Sequence, residues 1–530
     1  MSKIKKFDYR FLSKDEDIIF YSILLINIVF IFYTRFYPSM DGPAHLYNSN
    51  LLKHLILQNN FIGDYYQITT IPIPNWTSHF ILTFFGFFLP GWLAEKFLLI
   101  LYVSGMAISF RFLIKSLKPE NLALSIFIFP FIYSYLFHLG FYNYSLSFIF
   151  FFLTLSYWIN HYKTNQFSLY LITGILLLVT YLSNILTYAF LGVTLGYTIF
   201  LFEAETHPFR SKQYLLSCIN RIKRLTLVSL PSLLLMFSFF HLVPFSDSQH
   251  QYHSSELIKW INDVRSLIVF SYTGEEIITE QFFHILIFLF LFGFILNQNR
   301  ISLKNNISNA RQNLAYFSVF LSVILYFVLP DGSSAGMMSD RLSLMFFILF
   351  MILVISQTLP ARIQAVFSLI IIFLHLLLLT KHTVTIQELN DNAVSINQSA
   401  QYIEDNSVIL PVNLSDNWLQ LHFSNYLGAD KPLVILENYE ASVGWFPVRW
   451  NPNSPNVVLG DRHKVNGLSW HQNEKAQTQR QIDYIFLYGN MSKREEENWK
   501  ELNEILASEF TLKYESENKY IQLFQYMTKK

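Results

Sequence analysis

"IIFYSILLINIVFIFYTRFYPSMDGPAHL", residues 18–46, passes from a long apolar run straight into a tight polar cluster. A helix rises about 1.5 Å per residue and a bilayer's hydrocarbon core is about 30 Å thick, so the run is long enough to cross. It is the first of a series. Runs near 18–36, 94–114, 121–138, 144–160, 167–183, 185–202, 225–243, 282–297, 313–329, 341–358 and 364–381 predict about eleven full crossings. A shorter piece at 76–90, between "IPIPNW" and "LPGW", predicts a re-entrant or short helix that does not cross completely.

Composition points the same way. The 530 residues are 52% hydrophobic, 18% aromatic and only 14% charged, against about 25% charged in soluble domains. The fold class is therefore an α-helical polytopic membrane protein. A net charge of +1 implies no nucleic-acid footprint. The single cysteine, Cys218, excludes an internal disulfide framework and a cysteine-rich metal site. No Gly-rich nucleotide loop with its lysine is present, which disfavours an ATP-driven pump. Usage rich in Phe, Ile, Asn and Lys points to an AT-rich bacterial source, and so to the bacterial cytoplasmic membrane, with the first run a retained anchor.

Cationic loops set the expected orientation. Lys3, Lys5, Lys6, Arg10 and Lys14 hold the N-terminus in the cytoplasm. Lys115, Lys118, Lys163, the basic loop 210–224, residues 300–311 and Arg362 fall on the same side. "SMDGPAH" then lies outside, as does the C-terminus. Residues 1–381 form the predicted transmembrane domain, with outer loops at 37–75 and 244–281. In the first loop Ala44, Tyr47, Leu51, Leu52, Leu55 and Ile56 share a helical face, with His45, Asn48, Ser49 and Lys53 largely elsewhere. That pattern predicts an amphipathic helix on the membrane surface. Residues 382–530 turn polar, with strand-like "PLVILE" and "DYIFLYG" and a charged helical stretch, and predict a small extracytoplasmic α/β domain.

Asp41 and His45 stand four residues apart, hence on one face of a helix. Asp41 suits an N-cap, with Gly42 and Pro43 in the first turn. The same carboxylate at a low-dielectric boundary suits a general base, with His45 binding a phosphate or sharing a proton. Both readings stay open on these residues alone. Arg341 at the mouth of a span suits bidentate phosphate binding, approached by the Gly/Ser-rich "DGSSAGMMS", although its neighbour Asp340 can simply satisfy it. Asn143 and His79 fall at span ends on the same predicted face, where an interfacial role competes with substrate contact. His241, His250, His253 and Glu256 lack a matching metal-ligand spacing, so no metal is expected there.

The order of these parts, with "MDGPAHL", "FHLGFYNYSLSFIFFFLTLSYW" and "FVLPDGSSAGMMSDRLSLMFF", resembles the C-type (GT-C) integral membrane glycosyltransferase superfamily. The likeness is to a poorly characterised bacterial branch with an Asp-x-x-x-His first outer loop. It implies transfer of a sugar from a polyprenyl-phosphate-linked donor to a glycan, lipid or protein acceptor at the outer face of the membrane. It also implies Asp41 as base or acceptor-orienting residue, His45 as its second element, Gly140, Phe141 and Asn143 at the outer face, and Arg341 on the donor phosphate. The chain departs from better-known members in having Gly42 where a second acid would stand, so no metal or other cofactor is expected. A lipid or polysaccharide transporter, or a scaffold of envelope assembly, is the competing class. Charges at span ends and the absence of repeats weigh against transport.

Overall fold

A computed structural model describes residues 16–242, 249–298, 306–332, 336–452 and 482–527. Lys3, Lys5, Lys6, Arg10, Lys14 and Arg300 lie outside the described residues, as does part of the 244–281 loop.

Seven helices among the described residues are long and apolar enough to cross a membrane: Gly91–Leu117, Ile185–Thr206, Lys212–His241, Tyr272–Asn297, Ala310–Val328, Met338–Ser356 and Ala361–Tyr402. The chain is a helical membrane protein. Two shorter apolar helical stretches, Pro119–Ile132 and Phe167–Ser183, accompany them. The run at 121–138 is broken rather than continuous. It is 3-10 helical over Pro119–Ile128, then α-helical over Phe129–Ile132 and Tyr135–His138. Pro130 lacks a backbone donor and its ring opposes the carbonyl one turn earlier, which favours the break. Asn121 steadies the start by donating to the carbonyls of Ile355 and Gln357, both at 2.6 Å.

Chain contacts define two compact units. The first comprises Met1–Phe30, Ile100–Phe137 and Tyr144–Thr383. The second comprises Ile31–Leu99, His138–Asn143 and Val384–Lys530. This grouping follows contacts rather than composition, so it differs from the expected division at 381/382: the helix Ala361–Ser399 runs unbroken through that point. Within the first unit, polar ties join helices. Ser147 bonds Thr187 at 2.8 Å, the Trp158 indole bonds Thr198 at 2.7 Å, and Arg111 pairs with Asp17 at 2.5 Å. Such bonds answer the cost of a polar group in an apolar setting.

The second unit carries a five-stranded mixed sheet in the order Val434–Ile435, Val408–Leu414, Tyr484–Gly489, Ile521–Tyr526, Phe510–Glu515. The first three strands are parallel, and the last two form an antiparallel hairpin. Tyr484–Gly489 is buried along its whole length, as expected of a central strand covered on both faces. A short ladder pairs Tyr66–Ile68 with Val448–Trp450, and the rings of Tyr66 and Trp450 stack at 4.4 Å.

The helix Gly42–Ile56 corrects the surface-helix expectation. Residues 42–52 are all buried, including the face expected to be wet. Its polar side chains are matched by the C-terminal part of the same unit. Tyr47 donates to the Leu433 carbonyl at 2.8 Å, and Asn50 donates to the carbonyls of Gly428 and Lys431, both at 2.9 Å. A helix with polar residues on several faces can be buried when partners such as these meet them.

Candidate functional site

The site begins where two loops meet edge to edge. The amides of Met40 and Asp41 donate to the carbonyls of His138 and Leu139 at 3.2 and 3.0 Å. Gly140 follows with φ +87°, and a Cβ there would lie 2.7 Å from the Gly42 nitrogen and 2.8 Å from that of Asp41. Only glycine meets both demands. Gly42 is fixed by space too, because a Cβ on it would strike the Ser39 hydroxyl oxygen and the Tyr142 hydroxyl. That contact accounts for glycine where a second acid might be looked for.

Asp41 heads the Gly42–Ile56 helix, but its side chain makes no capping bond. The Gly42 amide donates to Ser39 Oγ instead, at 3.1 Å. The carboxylate is directed elsewhere. Its Oδ1 stands 3.6 Å from His422 Nε2, while His422 Nδ1 lies 2.7 Å from Glu437 Oε1. Glu437 also accepts from Asn425 Nδ2 at 3.2 Å, and the Tyr439 ring stacks on the His422 imidazole at 4.2 Å. Burial raises the Asp41 carboxyl above the usual carboxylate range, against the pull of His422 and His45. Burial also disfavours a charged His422, but Glu437 and Asp41 outweigh it and raise its pKa.

One turn further on is a second cluster. Glu440 offers Oε1 to His45 Nδ1 at 2.5 Å and Oε2 to His79 Nε2 at 2.8 Å. The far nitrogens rest on backbone carbonyls: His45 Nε2 on Gly140 at 2.8 Å and His79 Nδ1 on Asn75 at 3.2 Å. All three side chains are buried. The rings of Tyr142 and Phe446 lie 5.6 and 5.8 Å from that of His45. Burial pushes Glu440 up, yet the two histidines more than reverse this and hold it at about 2. His45 is opposed by burial but raised by Glu440, whereas burial prevails at His79 and lowers it. Two imidazole nitrogens and one carboxylate thus converge, their donor atoms all within 4.8 Å of one another.

Of the residues singled out from sequence, Asp41, His45, His79 and Asn143 come together in the second unit. Asn143 serves a backbone turn: its Oδ1 accepts from the Ser78 amide at 2.7 Å and its Nδ2 donates to the Asn75 carbonyl at 3.0 Å. It therefore holds the carbonyl on which His79 rests. Asp340 and Arg341 belong to the first unit. There the Arg341 guanidinium lies 5.7 Å from the centre of the Tyr144 ring, and the Tyr144 hydroxyl donates to the Arg341 carbonyl at 2.5 Å. The amides of Met338 and Ser339 at the head of that helix go to Asp331. Glu256 closes a capping box with His253, which accounts for two members of the histidine-rich loop.

His422, Glu437, Tyr439 and Glu440 were not singled out from sequence. A signal existed in "PLVILENYEA", residues 432–441, where two acids follow an apolar strand. The strand Val434–Ile435 is parallel to its neighbour, and residues just beyond the carboxyl ends of parallel strands are favoured site positions. The chain matches no family model and no curated protein sequence.

Proposed function

We propose that the protein is a glycosyltransferase, moving a sugar from a polyprenyl-phosphate-linked donor to an acceptor hydroxyl at the outer face of the bacterial cytoplasmic membrane. About eleven crossings, a cytoplasmic N-terminus and an extracytoplasmic C-terminal α/β domain belong to this proposal. The observation that carries it is the Asp41 carboxylate: buried, free of the helix cap, and facing an imidazole that Glu437 orients. A carboxyl group raised by burial is a better proton acceptor than an ordinary surface aspartate.

In the proposed reaction the acceptor oxygen attacks the anomeric carbon as Asp41 takes its proton. The bond from that carbon to the phosphate oxygen breaks, and the lipid phosphate leaves with the electron pair. A single displacement of this kind inverts the anomeric centre and requires one base and a stabilised leaving group. Arg341, in the first unit, is proposed in its own right as a phosphate-binding residue, and the apolar, Phe-rich helices are proposed to bind a lipid tail.

The test compares membranes bearing wild type or Asp41→Asn, supplied with a mixture of polyprenyl-phosphate sugars. The expected result is transfer by wild type and a loss on the order of 100-fold or more in the variant. Equal transfer by both removes Asp41 from the role of base. Absence of transfer with every donor favours the scaffold reading instead.

A further inference from the structure

We propose that His45, His79 and Glu440 form a binding site for a borderline divalent transition metal, with Zn2+ as the representative ion. This inference does not rest on sugar transfer, and it differs from the sequence expectation of no metal.

Four observations carry it. The first is the donor set. Two imidazole nitrogens and one carboxylate suit zinc and its first-row neighbours, whereas magnesium and calcium take oxygen ligands. Three protein ligands also leave a position for water or substrate.

The second is the way the rings are held. Backbone carbonyls accept but never donate, so the nitrogens resting on Gly140 and Asn75 are the ones that carry hydrogen. The opposite nitrogens, His45 Nδ1 and His79 Nε2, both face Glu440, and each offers its lone pair to a metal ion that displaces its proton. Histidine ligands of metals are oriented in this manner by their outer hydrogen bond. Each carbonyl is itself fixed, one by the positive φ of Gly140 and the other by Asn143.

The third is buried charge. The Glu440 carboxylate is buried, with one oxygen 2.5 Å from His45 Nδ1 and the other 2.8 Å from His79 Nε2. A buried carboxylate needs a compensating positive charge, which a divalent cation among these three groups supplies.

The fourth is scale. Ligand bonds of about 2.0–2.1 Å in tetrahedral zinc put neighbouring donors about 3.3 Å apart. The donors here lie 2.5 and 2.8 Å from the Glu440 oxygens and all within 4.8 Å of one another, so local side-chain shifts bring them to the spacing an ion requires. The rings of Phe446 and Tyr142 beside the cluster keep it apolar, which strengthens electrostatic binding.

The experiment uses the full chain, purified in detergent, stripped with a chelator and refilled with Zn2+ or Co2+ alone. No sugar donor is added, so the outcome is separate from that of the transfer assay. Wild type is expected to hold one ion per chain, with imidazole nitrogens in the zinc X-ray absorption spectrum and visible bands for Co2+. His79→Asn and Glu440→Gln are expected to weaken binding on the order of 100-fold or more, beyond the roughly 10- to 100-fold of outer hydrogen-bond partners. Asn143→Ala, which frees the Asn75 carbonyl, is expected to weaken it about 10-fold. Substoichiometric uptake by wild type overturns the proposal, as does an absorption spectrum without imidazole or wild-type affinity in both ligand variants. Should the variants fail to fold, the wild-type absorption spectrum decides alone.

Discussion

Asn48 and Asn438 exchange two hydrogen bonds, each amide nitrogen donating to the other's oxygen, at 3.0 and 2.9 Å across 390 positions of sequence. Asn48 lies on the helix that follows Asp41 and carries His45, and Asn438 sits between Glu437 and Glu440. The pair therefore sets the distance between the two halves of the site. Asn48→Ala is expected to cost about 1–3 kcal/mol, because it strands a buried amide rather than removing one net bond. Asn48→Ala with Asn438→Ala is expected to cost less than the sum of the single changes. Thermal unfolding in detergent measures both, and strict additivity would refute the coupling.

Gly140 and Gly192 make a contrast of position. Gly140→Ala meets two backbone nitrogens and a positive φ, while a Cβ at Gly192 meets nothing within 4 Å. The first substitution is expected to lower stability by about 2 kcal/mol or more, and the second to change it by less than about 1 kcal/mol. Gly140→Ala also moves the carbonyl on which His45 rests. Similar melting temperatures for the two variants would count against this geometry.

The Asp41 carboxylate makes no cap, so its removal forfeits none of the usual cap stabilisation of about 1 kcal/mol. Its pKa is raised on folding, so the ionised form is less favourable folded than unfolded at neutral pH. Asp41→Asn is therefore expected to leave the melting temperature unchanged or higher while lowering transfer on the order of 100-fold or more. A fall typical of a lost cap would contradict the account.

His422 gives a pH signature of known sign. Its pKa is raised in the folded protein, against the opposing effect of burial, by Glu437 and Asp41. The folded state binds its proton more tightly than the unfolded chain. The stabilisation is thus fully present below the unfolded value of about 6.5 and is lost as pH climbs through the raised folded value. Melting temperatures of wild type between about pH 6 and 9 are expected to fall more steeply than those of His422→Gln. Parallel curves would exclude His422 as the source.

What the sequence disclosed depended on range. Apolar runs announce membrane helices locally, and "DYIFLYG" announces a buried strand, because period and composition need no distant partner. The Asp41–His45 spacing likewise drew notice as a helix face. That face was expected to be wet, since its partners lie near residues 428–438 and no local pattern connects them. His79 looked interfacial for the same reason: Glu440, which gives it meaning, is 361 residues away. Pairings across such separations arise from topology, and one chain carries no local mark of them.

The second unit is assembled from three separate stretches of chain, the last beginning at Val384. Order of synthesis follows from that. His45 and His79 emerge, and their helices form, long before the carboxylate that faces them has been translated. During that interval Asn50 and the Glu440-facing nitrogens of both imidazoles lack their native partners, and the side chains of the Gly42–Ile56 helix that reach residues 428–438 have nothing to meet. Completion of the site is thus a late event in biogenesis. A chain that stops before Glu437 retains its membrane helices but leaves Asn48 and the Glu440-facing nitrogens of His45 and His79 without the groups that match them.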